Sequence, residues 1–274
     1  MPIIDDLATT RQEAPVPAGR AGRTAWLTIG VILTVLTIAV TIAGLWFRVA
    51  AKAAIISQNQ DRTYTGQPAK IMLNLSSGDI TIRRGAAGQV AVHRQLQWVH
   101  SKPIIDERWN GSTLVISQGC PNGFLDLRCN ANYTLTVPPG VTVTATTASG
   151  NVQVADITGP LQLRSESGDV GAVNPVGDLT AKSASGNVTV TGARSGIVTA
   201  TSNSGDVTLG FAVAPDEVSA DSAAGNVSVA VPTGGSYDVQ ASTAAGNTSV
   251  SVPNNPHSPR LIHAHTDAGD ATVS

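Results

Sequence analysis

The chain has 274 residues, of which 42% are hydrophobic and only 13% charged, with a formal net charge of −2. That balance excludes a nucleic-acid binder of the usual kind, which needs a basic patch. The length accommodates one membrane segment plus one or two folded domains.

Residues 1–24 carry Pro15, Pro17, several alanines and mixed charges without apolar periodicity, which is the composition of a disordered tail. From Ala25 to Phe47 every residue is uncharged, a run that would measure about 34 Å as a helix and so spans a bilayer. Trp26 and Trp46 fall at its two ends, where interfacial aromatics belong. A cleaved signal peptide is the rival reading, with Ala51-Lys52-Ala53 as a small-x-small site. Its apolar region would run only about 7 to 15 residues, so an uncleaved transmembrane anchor over 25–47 is expected. Arg11, Arg20 and Arg23 on one side balance Arg48, Lys52 and Arg62 on the other, and the positive-inside rule leaves the orientation open. Residues 48–69 read as a juxtamembrane linker.

Residues 70–140 read as an irregular β cap, since a solenoid needs its end shielded. Within it Ile71, Leu73, Ser77-Gly78-Asp79-Ile80 and Ile82 already resemble a repeat unit. Strand-like runs follow at Val90–Val99, Thr113–Ser117 and Tyr133–Val137, and Asn110-Gly111 is a hairpin turn. Cys120 and Cys129 are the only cysteines. No second pair or adjacent histidine completes a zinc set, so in a membrane-anchored chain they read as a disulfide formed in an oxidising compartment. The expected location is therefore the cell membrane, single-pass, with the C-terminal domain extracytoplasmic.

From 141 to 274 one phrase recurs, Ser/Ala-Gly-Asp/Asn followed by an apolar or small residue, with its glycines at Gly150, Gly168, Gly186, Gly205, Gly225, Gly246 and Gly269. Units of 18 to 23 residues are thus stacked, which is the signature of a solenoid. Apolar or small residues recur two and four positions after each glycine, as in Val170 and Ala172, and seven and five before it, as in Leu161 and Leu163. Both segments alternate with period two and read as strands with one buried face. The stretch holding the glycine keeps its length while the opposite connection grows, so one corner is fixed and the other variable. Glycine suits the fixed corner by reaching positive φ, and Asn or Asp by bonding nearby backbone; Gly78 is the same corner in the cap. A hairpin turn is the other reading of Gly-Asn or Gly-Asp, but once-per-unit recurrence favours stacked coils. The expected fold is all-β: a parallel β-solenoid with two short strands per coil, preceded by the cap and one transmembrane helix.

Tyr133-Thr-Leu-Thr-Val-Pro-Pro-Gly140, followed by Val141-Thr-Val and repeated Ser-Gly-Asp/Asn-Val, resembles the bacterial "putative adhesin" domain family. The resemblance covers about residues 70–274 and implies a surface or membrane-anchored β-repeat protein; it carries no catalytic residues.

Candidate chemistry is sparse. The Asp/Asn column does not match a calcium-binding β-roll, which needs Gly-Gly-x-Gly-x-Asp at each turn, and turn capping is expected instead. Ser or Thr stands three before each array glycine, from Thr147 and Ser165 to Thr243 and Thr266, and is expected to support the corner as a hydroxyl ladder. His263 and His265 lie two apart on an outward strand face near His257, Asp267 and Asp270; they are the only metal candidates, and surface histidines without a metal are the expected case. Gly-x-Ser-x-Gly is absent, and no catalytic residue or cofactor is expected. The leading function is a non-enzymatic adhesin or envelope interaction module. An envelope-stress sensor signalling through residues 1–24 is the alternative, and a polysaccharide-acting enzyme a more distant one. Expected partners are the membrane, a surface glycan or protein ligand, and a second copy meeting an open terminal rung at Ala271–Ser274.

Overall fold

The computed structural model describes residues 30–44, 46, 55–121 and 128–274, and the chain divides into two units, Met1–Ala54 and Ile55–Ser274. In the first, residues 30–44 are helical. Thr34, Thr37 and Thr41 each donate their hydroxyl to a carbonyl of the preceding turn, at 2.8 to 3.1 Å. Among the described residues no helix is long and apolar enough to cross a membrane. Both ends of the expected 25–47 span lie outside them, as does the tail at 1–24.

The second unit is all-β. It opens with β1 (Ile56–Thr65), β2 (Lys70–Leu75), β3 (Ile80–Arg84), β4 (Gln89–Trp98), β5 (Ile104–Asn110), β6 (Thr113–Gly119) and β7 (Cys129–Val137). The repeats then alternate between two sheets. The ten-stranded sheet takes β8 (Thr142–Ser149), β10 (Leu161–Ser167), β12 (Leu179–Ser185), β14 (Ile197–Ser204), β16 (Glu217–Ala224), β18 (Asp238–Ala245) and β20 (Leu261–Ala268). The eleven-stranded sheet takes β9 (Val152–Ala155), β11 (Val170–Val173), β13 (Val188–Ala193), β15 (Val207–Phe211), β17 (Val227–Ala230), β19 (Thr248–Val250) and β21 (Ala271–Val273).

Equivalent residues of stacked coils pair in parallel, Leu161 with Val143 and Leu179, Val170 with Val152 and Val188. Period-two alternation therefore becomes two inward rows per coil: Leu161, Leu163, Val170 and Ala172 are all buried, and their burial is the driving force for stacking. Aliphatic side chains fill most of this core. Contrary to the all-aliphatic interior that the repeats suggest, Tyr133, Phe211 and Tyr237 are also buried; Tyr133 pairs with Ile80 at a position where the later repeats carry Val, Thr or Ala, and Phe211 and Tyr237 lie outside the two residue pairs that define a unit.

Three parts of the sequence reading need correction. Residues 56–65, placed in a linker, form β1, which pairs antiparallel with β4. The cap is more regular than expected. Its β6 and β7 form a full coil, parallel to β2 and β3 respectively, while β2 and β3 pair on their other side with β8 and β9. Among the described residues only β1, β4 and β5 run antiparallel, closing this end. Nine coils thus stack among the described residues, in the order β6/β7, β2/β3, β8/β9 and onward, about 38 Å at the usual strand spacing.

The third correction concerns the other end. Ala271–Val273 is not an open rung, because β21 lies between β17 and β19, and β20 between β16 and β18. The chain overshoots by one coil to lay down β18/β19 and then returns to fill the gap. The 21- and 23-residue units that end the array contain the longer variable loops that this crossing needs. The outermost rung is β18/β19.

Candidate functional surfaces

At the fixed corner the glycines stack directly on one another. Gly150, Gly168, Gly186, Gly205, Gly225, Gly246 and Gly269 have φ between 142° and 158°. A Cβ on Gly168 would lie 2.2 Å from the Gly150 carbonyl oxygen, so the position is closed to side chains by backbone approach as well as by dihedral angle. The β6/β7 coil holds Ala131 at this position, one residue before Asn132, and Gly78 rests on it; nothing stacks beneath Ala131 in the same way, so it needs no glycine.

Two hydrogen-bonded columns flank the glycines. Thr147, Ser165, Ser183, Ser202, Ser222, Thr266 and Thr243 donate their hydroxyls to the glycine carbonyl of the neighbouring coil at 2.7 to 3.0 Å. Six of the seven are buried, so the ladder supports the corner from inside, as the sequence reading expects. Beside it the residue after each glycine offers its side-chain oxygen Oδ1 to the backbone N–H of the next coil's equivalent. Eight such bonds of 2.7 to 2.9 Å link Asn132, Asp79, Asn151, Asp169, Asn187, Asp206, Asn226, Asp270 and Asn247 in that spatial order.

Along this column amide and carboxylate alternate without exception, which they do not do along the sequence, where Asn226 and Asn247 are successive. The exchange of the last two coils restores the alternation. Its physical value is charge spacing: neighbouring carboxylates at the rung spacing of about 4.8 Å would repel by about 0.9 kcal/mol per pair even in water. Asn187→Asp would place three carboxylates on consecutive rungs. After solvent screening it is expected to cost about 1 kcal/mol, measured as a lower urea midpoint that recovers in high salt.

At the cap end a polar knot joins the two sheets. Glu107 on β5 has a side chain only 2% exposed, and it pairs with Arg94 on β4, 8% exposed, through Arg94 Nη1. Tyr64 donates its hydroxyl to Glu107 Oε2 at 2.6 Å and Tyr133 to Oε1 at 3.3 Å. Arg62 stands 3.5 Å from Oε2, and Arg94 Nε donates to Gln60 at 2.7 Å. Burial first, and then the Glu107 charge, push the Tyr133 phenol well above its ordinary pKa of 10.0, so it acts as a neutral donor. Sequence reasoning missed this knot because its members come from four strands with no shared spacing.

Cys120 and Cys129 form a disulfide with Cα atoms 6.0 Å apart. It closes the corner of the β6/β7 coil, where the other coils use Gly-Asx. Loop-closure entropy for a separation of nine residues corresponds to about 3 kcal/mol. A Cys120→Ser/Cys129→Ser chain is expected to lose about that much in denaturant titrations, and reductant should shift the wild type toward it.

His263 and His265 lie on the outer face of the ten-stranded sheet with ring centroids 6.2 Å apart. Their neighbours are Asp221, 3.7 Å from His263 Nε2, Asp267, 3.2 Å from His265 Nε2, and Ser242, 2.9 Å from His265 Nδ1. His257 and Asp270 are not brought onto this cluster by any of these contacts. Among the described residues no group of three or more His, Cys, Asp or Glu is arranged to hold a metal ion.

On the eleven-stranded sheet the outward column runs Thr81, Gln153, Gly171, Thr189, Thr208 and Ser228. Gly171 interrupts it, and Gln153 folds over the gap, its Oε1 lying 2.1 Å from where a Cβ on Gly171 would sit. Shallow hollows open on either side of Gln153. One of about 250 Å³ is lined by Asp169, Gly171, Asn187, Thr189 and Thr191, and one of about 270 Å³ by Thr81, Arg83, Ala155 and Val173.

Residues 141–274 match the family model described as Toastrack DUF4097, the part of the chain from β8 to β21. Among solved structures, the chain is similar to one described as a putative adhesin from Bacteroides fragilis, with 13% identity, 79% of this chain and 97% of that chain covered and a TM-score of 0.47. It is also similar to one described as a putative cell adhesion protein from Clostridium sporogenes, at 11% identity, 79% and 99% coverage and a TM-score of 0.39. A third, described as a putative lipid binding protein from Parabacteroides distasonis, shares 11% identity with 79% and 94% coverage and a TM-score of 0.35. Among curated proteins none matches the chain.

Proposed function

We propose that this chain is a single-pass membrane protein whose β-solenoid lies outside the cytoplasm and acts as a non-enzymatic interaction module of the adhesin type. The observation that carries the reading is the pair of outer sheet faces. Hydroxyl and amide side chains recur on most of their rungs, held in register by a buried column of hydroxyl hydrogen bonds. Such a face offers a ligand many equivalent weak contacts on a rigid scaffold, and the hollows beside Gln153 are the recessed points on it.

The uncharged run at 25–47 supports the anchor. The three threonines of its helical part satisfy their hydroxyls within the helix, as polar groups in hydrocarbon must. The disulfide supports an oxidising compartment. The test is to reconstitute the full chain in nanodiscs and probe it against arrayed cell-envelope polysaccharides and surface proteins, while protease is added to intact expressing cells. Binding lost on Gln153→Ala/Thr189→Ala, with the solenoid digested from outside, supports the proposal. A solenoid protected in intact cells, or turnover of an arrayed polysaccharide, overturns it.

A further inference from the structure

The β18/β19 end has the shape of a step. After β19 the chain folds back and lays part of a further rung on one half of the end: Tyr237 bridges Asn254 in parallel, and the Val239 N–H and carbonyl are met by the Asn254 side chain at 3.0 and 3.1 Å. Ser258 ties this raised segment to the Ser236 carbonyl at 2.7 Å. The other half, from Ala241 round the corner to Val250, has nothing stacked on it among the described residues. There β18 and β19 have one strand neighbour each, Val250 is 41% exposed, and both hydrogen-bonded columns stop, at Gly246 and Asn247.

Natural solenoids and sheets guard such edges with charge, proline or a covering segment. The opposite end of this unit is closed by antiparallel strands that carry Asp61, Arg62, Asp106 and Arg108. Between Ala241 and Val250 there is no charged residue and no proline. The bare half is the same kind of surface that every inner rung covers with another rung of this chain.

We propose that this end is a homodimer interface, two copies meeting about a two-fold axis so that each raised segment fills the bare half of the other. A step one rung high is self-complementary under that rotation, and a two-fold contact closes after two copies. The edge strands then pair antiparallel. The inference goes beyond the adhesin reading and does not depend on it.

The test is sedimentation equilibrium of the full chain in density-matched detergent, beside a Thr248→Lys/Val250→Lys variant. The wild type is expected at the mass of two chains and the variant at one, with the same β-sheet circular dichroism spectrum and an unfolding midpoint equal to that of the dissociated wild type. A second measurement covers a variant that fails to fold. The two natural cysteines are bonded to each other, so a Val250→Cys chain mixed with an Asn255→Cys chain should give the mixed disulfide on mild oxidation. A wild type that stays monomeric at all concentrations, a dimer that survives the lysines, or assemblies that grow without closing would each overturn the proposal, as would failure of the mixed disulfide.

Discussion

Replacing Glu107 by glutamine is expected to lower the unfolding free energy by about 3–5 kcal/mol, the usual cost of removing one partner from a buried ion pair. The size follows from what is left behind. Arg94, 8% exposed, would keep its charge with only Gln60 as a close acceptor, and an amide in place of Glu107 would offer one acceptor oxygen where Tyr64, Tyr133 and Arg94 now share two. Because β5 joins the ten-stranded sheet and β4 the eleven-stranded one, the loss should be felt as an opening of the cap. Hydrogen exchange should accelerate in β1, β4 and β5 before it does in β12 to β15. Asp61→Asn is the control: that carboxylate contacts His93 on the surface, 80% exposed, and its removal should change stability by less than about 1 kcal/mol. Equal effects from the two substitutions would show that the knot does not hold the sheets together.

The array was legible in the sequence because each rung solves the same problem in the same residues. Gly168 must be glycine for the reason Gly186 must be, and the apolar pairs Leu161/Leu163 and Leu179/Ala181 bury the same faces. The ends were less legible because the problem changes there. Strand β1 is exposed on both faces along most of its length, so Ile56–Thr65 shows no apolar alternation and reads as linker. Strand β7 occupies a regular coil, but its corner is a disulfide loop with Ala131 at the glycine position, which hides the repeat. The exchange of β18/β19 with β20/β21 changes the apolar pattern only at Thr248 and Ala271, which stand where the earlier units carry Val. Its traces in the sequence are the longer loops of the last two units and the broken alternation at Asn226 and Asn247, and the latter acquires meaning only once a charge-spacing rule for the column is known.

The second large effect is expected at the centre of that column. Gly168→Ala should cost about 3 kcal/mol or more, from two separable causes. The first is the dihedral: a φ of 148° is one that side chains rarely adopt, worth about 1–3 kcal/mol. The second is contact, since the new Cβ would sit 2.2 Å from the Gly150 carbonyl oxygen and 3.1 Å from Asn151 Oδ1. That carbonyl is also the acceptor for the Ser165 hydroxyl, so relieving the clash by moving the rung apart breaks both ladders at once. Gly66→Ala separates the terms, because Gly66 has φ 138° with nothing within 4 Å of a built Cβ and should show the dihedral cost alone. Both are measured by urea titration of the full chain, with hydrogen exchange to localise the damage, because solenoid rungs couple chiefly to their neighbours. Exchange should rise in β8 to β13 for Gly168→Ala and stay unchanged there for Gly66→Ala. If the two substitutions cost the same, backbone stacking is not what reserves the corner for glycine, and the column owes its glycines to turn geometry alone.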